Sequence, residues 1–161
     1  TIKLKYNPVA SVFEKQILFD KNNKKRNVIK SRWYSHMKSV NLAKENEILN
    51  DFKYDFILVT RFDNVFFTPF EFESYDRNAF YSSNWSKPHS DEGFLDYWFL
   101  AGSDIMDKFS NLYENIDKYL DKEEVFLSNH VLSKHHANNL KLEQKFIKHE
   151  WDDFTLERRL T

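Results

Sequence analysis

Apolar and polar positions fall into blocks along the chain, and the repeat within them changes from block to block. Residues 2–6 alternate apolar and basic side chains and predict a short edge strand, which Pro8 stops. The run KNNKKRNVIK over residues 21–30 is polar and basic, the composition of an exposed loop. Over residues 31–49 the period becomes helical, with Trp33, Met37 and Val40 followed by Ile48, and Ser31 is placed to cap the start. Residues 54–60 (YDFILVT) are nearly all apolar and β-branched or aromatic, which suits a central strand covered on both faces. Residues 79–83 and 96–101 (DYWFLA) predict two more buried strands, the second ending at Gly102. The segment SDIMDKFSNLYENIDKYL then puts Ile105, Phe109, Leu112, Ile116 and Tyr119 or Leu120 on one helical face, with Ser103 as N-cap and Asp104 near the positive dipole end. Residues 122–137 predict another helix and residues 142–149 a last strand. Helices alternating with buried strands predict an α/β fold, layered, with a largely parallel central sheet flanked by helices. A length of 161 residues fits a single domain spanning residues 1–161, and the sequence carries no internal repeat.

Charge changes this picture by exclusion. Lys+Arg of 24 against Asp+Glu of 25 gives a net charge of −1, so no global field draws the chain to nucleic acid or anionic lipid. A metal-dependent nuclease built on Asp63, Asp96 and a lysine would lack a basic face for the phosphate backbone. Cysteine is absent, which fits a reducing compartment and rules out disulfides and thiolate metal sites. No apolar run approaches the length of a membrane span, and residues 1–6 lack a signal-peptide core. The expectation is a cytoplasmic protein with at most peripheral membrane contact. The two glycines, Gly93 and Gly102, cannot form a GxGxxG turn or a Walker loop. A bound diphosphate would therefore be neutralised by a metal ion or by basic side chains.

Arg61, Phe62 and Asp63 emerge at the C-terminal end of the 54–60 strand, where open α/β sheets bind ligands. The tripeptide follows its strand as the Asp-x-Asp motif does in GT-A-type glycosyltransferases. With SRWYSHMK, YDFILVTRFDNVFF and DYWFLAGSDIMDKFSNLY, the chain resembles, over residues 31–149, bacterial glycosyltransferases that build lipopolysaccharide and capsule. In those families a YDxxxxxRxD strand precedes a strand–Gly–Ser–helix unit. The resemblance implies transfer of a sugar from a nucleoside-diphosphate donor to a carbohydrate acceptor in surface polysaccharide or glycan synthesis. It also implies that Asp63 holds a divalent cation, Mn²⁺ or Mg²⁺, bridging the donor phosphates, and that a late histidine, here His149, completes the metal site. Arg61 stands where the motif has its first acid, so it could pair with phosphate directly. Nothing near Thr1 matches the first strand of such domains, which holds the nucleotide base. The expected fold is thus GT-A-like without that strand, and a start other than Met fits a fragment or minimal domain. The alternative function is a non-catalytic carbohydrate- or protein-binding module derived from a truncated glycosyltransferase fold.

Each candidate has a plainer reading beside it. Arg61 and Asp63 serve donor binding or form a local ion pair. Asp96, with Asp91 and Glu92 just before it, is the candidate general base of an inverting transfer, or it caps a turn. Glu92 and Trp85 are the candidate acceptor contacts, although large aromatics such as Trp85 and Trp98 also build cores. His149 is a metal ligand or an ordinary surface residue. His130, His135 and His136 lie on a helix without an HExxH arrangement and read as structural or solvent-facing.

Overall fold

The computed structural model describes residues 7–84 and 93–157; the strand expected over residues 2–6 lies outside them. The first element, α1 (Lys24–Leu49), begins seven residues before the expected start. Asn23 is its cap, its side chain accepting from the Arg26 N–H at 2.9 Å. Ser31 lies inside the helix and bonds through its carbonyl to the Ser35 hydroxyl. The basic run read as a loop is therefore largely helical. Its charges are met far along the chain: the Arg26 guanidinium donates to Asp117 at 2.5 Å and to Asp121 at 2.7 and 2.9 Å, and Lys30 reaches Asp117 at 2.7 Å. The buried stripe of α1 runs Ile29, Trp33, His36, Val40, Glu47, while Ile48 is exposed. Glu47 is tolerated there because it accepts from Lys44 at 2.8 Å and from the Tyr54 N–H at 2.9 Å.

The chain then forms β1 (Ile57–Thr60), β2 (Asn64–Phe66), a 3₁₀ turn (Phe72–Ser74), β3 (Phe80–Asn84) and β4 (Trp98–Ala101). Helices α2 (Ser103–Ser110), α3 (Leu112–Asp121) and α4 (Asn129–Asn139) follow, and β5 (Gln144–His149) and β6 (Phe154–Leu156) close the described chain. The helix expected after Gly102 is two helices parted at Asn111, with Gly102 rather than Ser103 at the cap position. The expected 122–137 helix begins only at Asn129, after Glu124 takes a left-handed conformation (φ 52°).

Strand order in the four-stranded sheet is β1-β4-β3-β5, and β2 pairs with β6 in a separate ribbon. The β1–β4 and β4–β3 pairs are antiparallel and β3–β5 is parallel. The fold is α/β, but the sheet is mixed and mostly antiparallel, not largely parallel. The reason lies in the order of elements: among the described residues β1 to β4 follow one another without an intervening α-helix, and α2 to α4 come in one block before β5. Without a helical crossover between each strand pair, neighbouring strands run antiparallel. The strand expected over residues 54–60 is shorter, Ile57–Thr60, and lies at an edge, while β4 and β3 hold the interior positions and all four residues of β4 are buried.

Alternation along β4 divides the core. Phe99 and Ala101 face the helices, packing with Trp33, Phe80, Phe109, Leu112 and Ile116. Trp98 and Leu100 face the other way, against Tyr81, Leu95 and Phe154, where the β2–β6 ribbon and residues Phe66 and Phe70 cover the sheet. Each large side chain buried here contributes about 1.5–3 kcal/mol relative to exposure.

Candidate functional site

Antiparallel pairing of β1 with β4, and of β4 with β3, brings the ends of β1, β3 and β5 to the edge where β4 begins. Thr60 is opposite Trp98, so continuing the register by one residue sets Arg61 across from Tyr97. The Arg61 guanidinium carbon lies 5.9 Å from the centre of the Tyr97 ring, a cation–π distance. Arg61, Asp63 and Asp96 thus meet at one sheet edge although 33 residues separate the last two in sequence.

Arg61 and Asp63 form a bidentate pair, Nε to Oδ1 at 2.8 Å and Nη2 to Oδ2 at 2.7 Å. The hydrogen bond to Asp63 holds the guanidinium above its ordinary pKa, against a smaller opposing effect of burial. Both side chains are 37% exposed, so the pair contributes only about 1 kcal/mol or less. The Asp63 carbonyl is fixed by the Glu157 N–H at 2.8 Å, tying the turn to the end of β6.

Asp96 is 6% exposed. Its Oδ2 lies 3.9 Å from Arg32 Nε and its Oδ1 3.4 Å from His130 Nδ1, while its carbonyl accepts from Arg32 Nη2 at 3.0 Å. Arg32 descends from α1, beside the buried Trp33. Burial pushes its guanidinium below the ordinary value; Asp96 opposes this and Arg61 adds to it. The Arg32 Nε is buried without a hydrogen-bond partner. His130, in the first turn of α4, is held by reciprocal bonds: its Nδ1 is 2.6 Å from the Phe94 carbonyl oxygen, and the Phe94 N–H donates to the His130 carbonyl at 3.0 Å. Gly93 permits that approach, since a Cβ there would lie 2.0 Å from the His130 oxygen and the φ of +91° suits glycine.

The other anticipated residues are dispersed. Trp85 and Glu92, with Asp91, lie outside the described residues. Trp98 is fully buried core. His149 ends β5; its Nε2 is 3.1 Å from Asn84 Nδ2 and its N–H donates to Asp153. Three strand spacings, about 14 Å, separate β5 from β1. His149 is engaged by Asn84 and Asp153, and both oxygens of Asp63 face Arg61. Among the described residues no group of three or more His, Asp or Glu side chains could hold a metal ion. Asp63 and His149, the pair assigned to Mn²⁺ or Mg²⁺, belong to no such group among the described residues.

Arg32, Tyr97 and His130 belong to the site and were not among the candidates. Arg32 did carry a signal, an arginine abutting the core stripe at Trp33; His130 carried none, since its partner Asp96 is 34 residues away. His136 is buried, as its structural reading expects, and its Nδ1 is 2.7 Å from the Tyr119 hydroxyl; His135 pairs with Glu123. Among the described residues no helix is long and apolar enough to cross a membrane. No protein-family model matches the chain, and no curated protein matches it.

Proposed function

We propose that the chain is a glycosyltransferase domain that moves a sugar from a nucleoside-diphosphate donor to a carbohydrate acceptor, with arginine rather than a cation facing the diphosphate. The observation that carries the reading is the gathering of Arg61, Asp63, Arg32, Asp96 and His130 at the sheet edge where β1 ends. In the transfer, an acceptor hydroxyl attacks the anomeric carbon as its bond to the diphosphate oxygen breaks. The diphosphate leaves with the electron pair, and the hydroxyl proton passes to a base. Arg61 suits the leaving group because its planar fork pairs as readily with phosphate as with a carboxylate, and its half-exposed bond to Asp63 is cheap to exchange. Phe62, 77% exposed between the two charges, and Tyr97 bring aromatic surface on which a sugar ring can stack. The sequence resemblance to enzymes of lipopolysaccharide and capsule assembly supports the same reaction class.

One observation favours the second reading, a non-catalytic carbohydrate- or protein-binding module. A cavity of about 310 Å³ between residues 12–19 and α1 is lined by Tyr34, Ser35 and Lys38 and by none of the edge residues. Calorimetric titration of UDP and GDP, with and without Mn²⁺, separates the two. The expected result is binding to the unaltered chain that Mn²⁺ leaves unchanged and that Arg61→Ala weakens about 10- to 100-fold, the loss of one charged hydrogen-bonded contact. Absence of binding to either nucleotide would sink the transferase reading.

A further inference from the structure

We infer that His130, not Asp96, accepts the proton in this reaction, with Asp96 acting as its positioning residue; the inference rests on the transferase reading above. The carboxylate of Asp96 is poorly placed to meet an acceptor. It is almost fully buried, with Arg32 on one side and His130 on the other. A base must come within hydrogen-bond reach of the hydroxyl it deprotonates, and a group enclosed in this way cannot. His130 is the titratable neighbour that extends outward, its side chain 31% exposed.

Two contacts at Nδ1 set which ring nitrogen carries the proton. A carbonyl oxygen can only accept, so the 2.6 Å approach of Nδ1 to the Phe94 oxygen requires the proton on Nδ1. Asp96 Oδ1, at 3.4 Å from the same nitrogen, reinforces that placement. In the neutral ring Nε2 then carries the lone pair, the state in which imidazole takes up a proton. Once it does so, the imidazolium sits in the first turn of α4, where the helix dipole opposes a positive charge and the Asp96 carboxylate offsets it. The histidine backbone is immobilised by the Phe94 N–H, which limits the ring to rotation about its side-chain bonds. As the bond from the acceptor oxygen to the anomeric carbon forms, the hydroxyl proton moves to Nε2 and the carbon–diphosphate bond breaks. Water in place of the acceptor follows the same course, so the release of nucleoside diphosphate by slow donor hydrolysis reads the step without a known acceptor.

The experiment has a spectroscopic and a kinetic arm on the full chain. Nitrogen-15 spectra of the histidine rings near about pH 8.5, where the ordinary ring is neutral, are assigned by His130→Gln. The expected signature of the unaltered protein is the Nδ1–H tautomer for His130. Release of UDP or GDP from their sugar conjugates should fall about 10²- to 10⁴-fold in His130→Gln, the usual contribution of a general base. Nucleotide binding should stay within a factor of three, and imidazole in solution should partly restore turnover to His130→Ala. Asp96→Asn should lower kcat while leaving KM unchanged, and should let the Nε2–H form appear. An Nε2–H tautomer in the unaltered protein, or turnover by a folded His130→Gln equal to the unaltered rate, overturns this inference while nucleotide binding leaves the transferase reading standing. Failure of the unaltered chain to bind or release either nucleotide overturns both. The tautomer is measured on the unaltered protein, so a variant that fails to fold does not shield the inference.

Discussion

Acidification from pH 7.5 to 5 should destabilise this protein before its carboxylates begin to titrate, because two histidines are held neutral in its helix-facing core. His36 is 1% exposed, its ring 5.3 Å from Trp33 and 5.7 Å from Phe109, and neither ring nitrogen has a hydrogen-bond partner. Burial, then the charge of Arg32, then His136, push its pKa down to about 3. Burial likewise pushes His136 to about 4, the nearby Lys108 carbonyl pulling the other way. In the unfolded chain both return to about 6.5. Folded values below the unfolded one mean that the unfolded state binds more protons in acid. The neutral rings therefore give their full stability above about pH 6.5, and it is lost as pH falls from there through 4 to 3. Each group loses about 1.4 kcal/mol per pH unit in that window, so at pH 5 the two together remove about 4 kcal/mol. That is a large share of a total stability of about 5–15 kcal/mol. Urea unfolding followed by circular dichroism at pH 7.5, 6.5, 5.5 and 5 measures the slope, and His36→Phe should roughly halve it. A folding free energy that is flat to within about 0.5 kcal/mol across the series, or a slope unchanged in His36→Phe, would refute the reasoning.

Two further outcomes test the framework that holds the site. Gly93→Ala drives a methyl group into the His130 carbonyl at a positive φ, and should destabilise by more than about 2 kcal/mol in a thermal melt; an unchanged midpoint would mean that the 93–94 segment does not dock on α4 as described. Arg26→Gln removes the bridge from α1 to Asp117 and Asp121, whose side chains are about half exposed, so the loss should be about 1 kcal/mol at low ionic strength and shrink in about 0.5 M salt; a loss insensitive to salt would contradict an electrostatic tie.

Several elements were legible because the cause of each is local. The residues of β4 are apolar on both faces, and the strand is buried on both. Of the helical face read as Ile105, Phe109, Leu112, Ile116 and Tyr119 or Leu120, the positions Phe109, Leu112, Ile116 and Tyr119 are buried where that period places them, while Ile105 is only half-buried and its neighbour Met106 enters the core instead. Arg61 and Asp63 stood out as charges leaving an apolar strand. The pattern misled where a distant partner decides the outcome. Residues 24–30 look like a solvated loop until Asp117 and Asp121 supply their counter-charges from about 90 positions away. The apolar 54–60 strand looks central, yet hydrophobicity on two faces specifies burial and not a place in the strand order, and pairing assigns it to an edge.

The site divides in the same way. The sequence by itself determined that polar chemistry would be delivered at the ends of apolar strands, because side chains at a strand terminus escape the period that buries their neighbours. Only the tertiary structure decided which of those groups meet. Strand order set His149 three spacings from β1, and helix packing delivered Arg32 and His130 to Asp96. Those contacts join residues 64 and 34 positions apart, a separation at which side-chain spacing along the chain carries no information about distance in space.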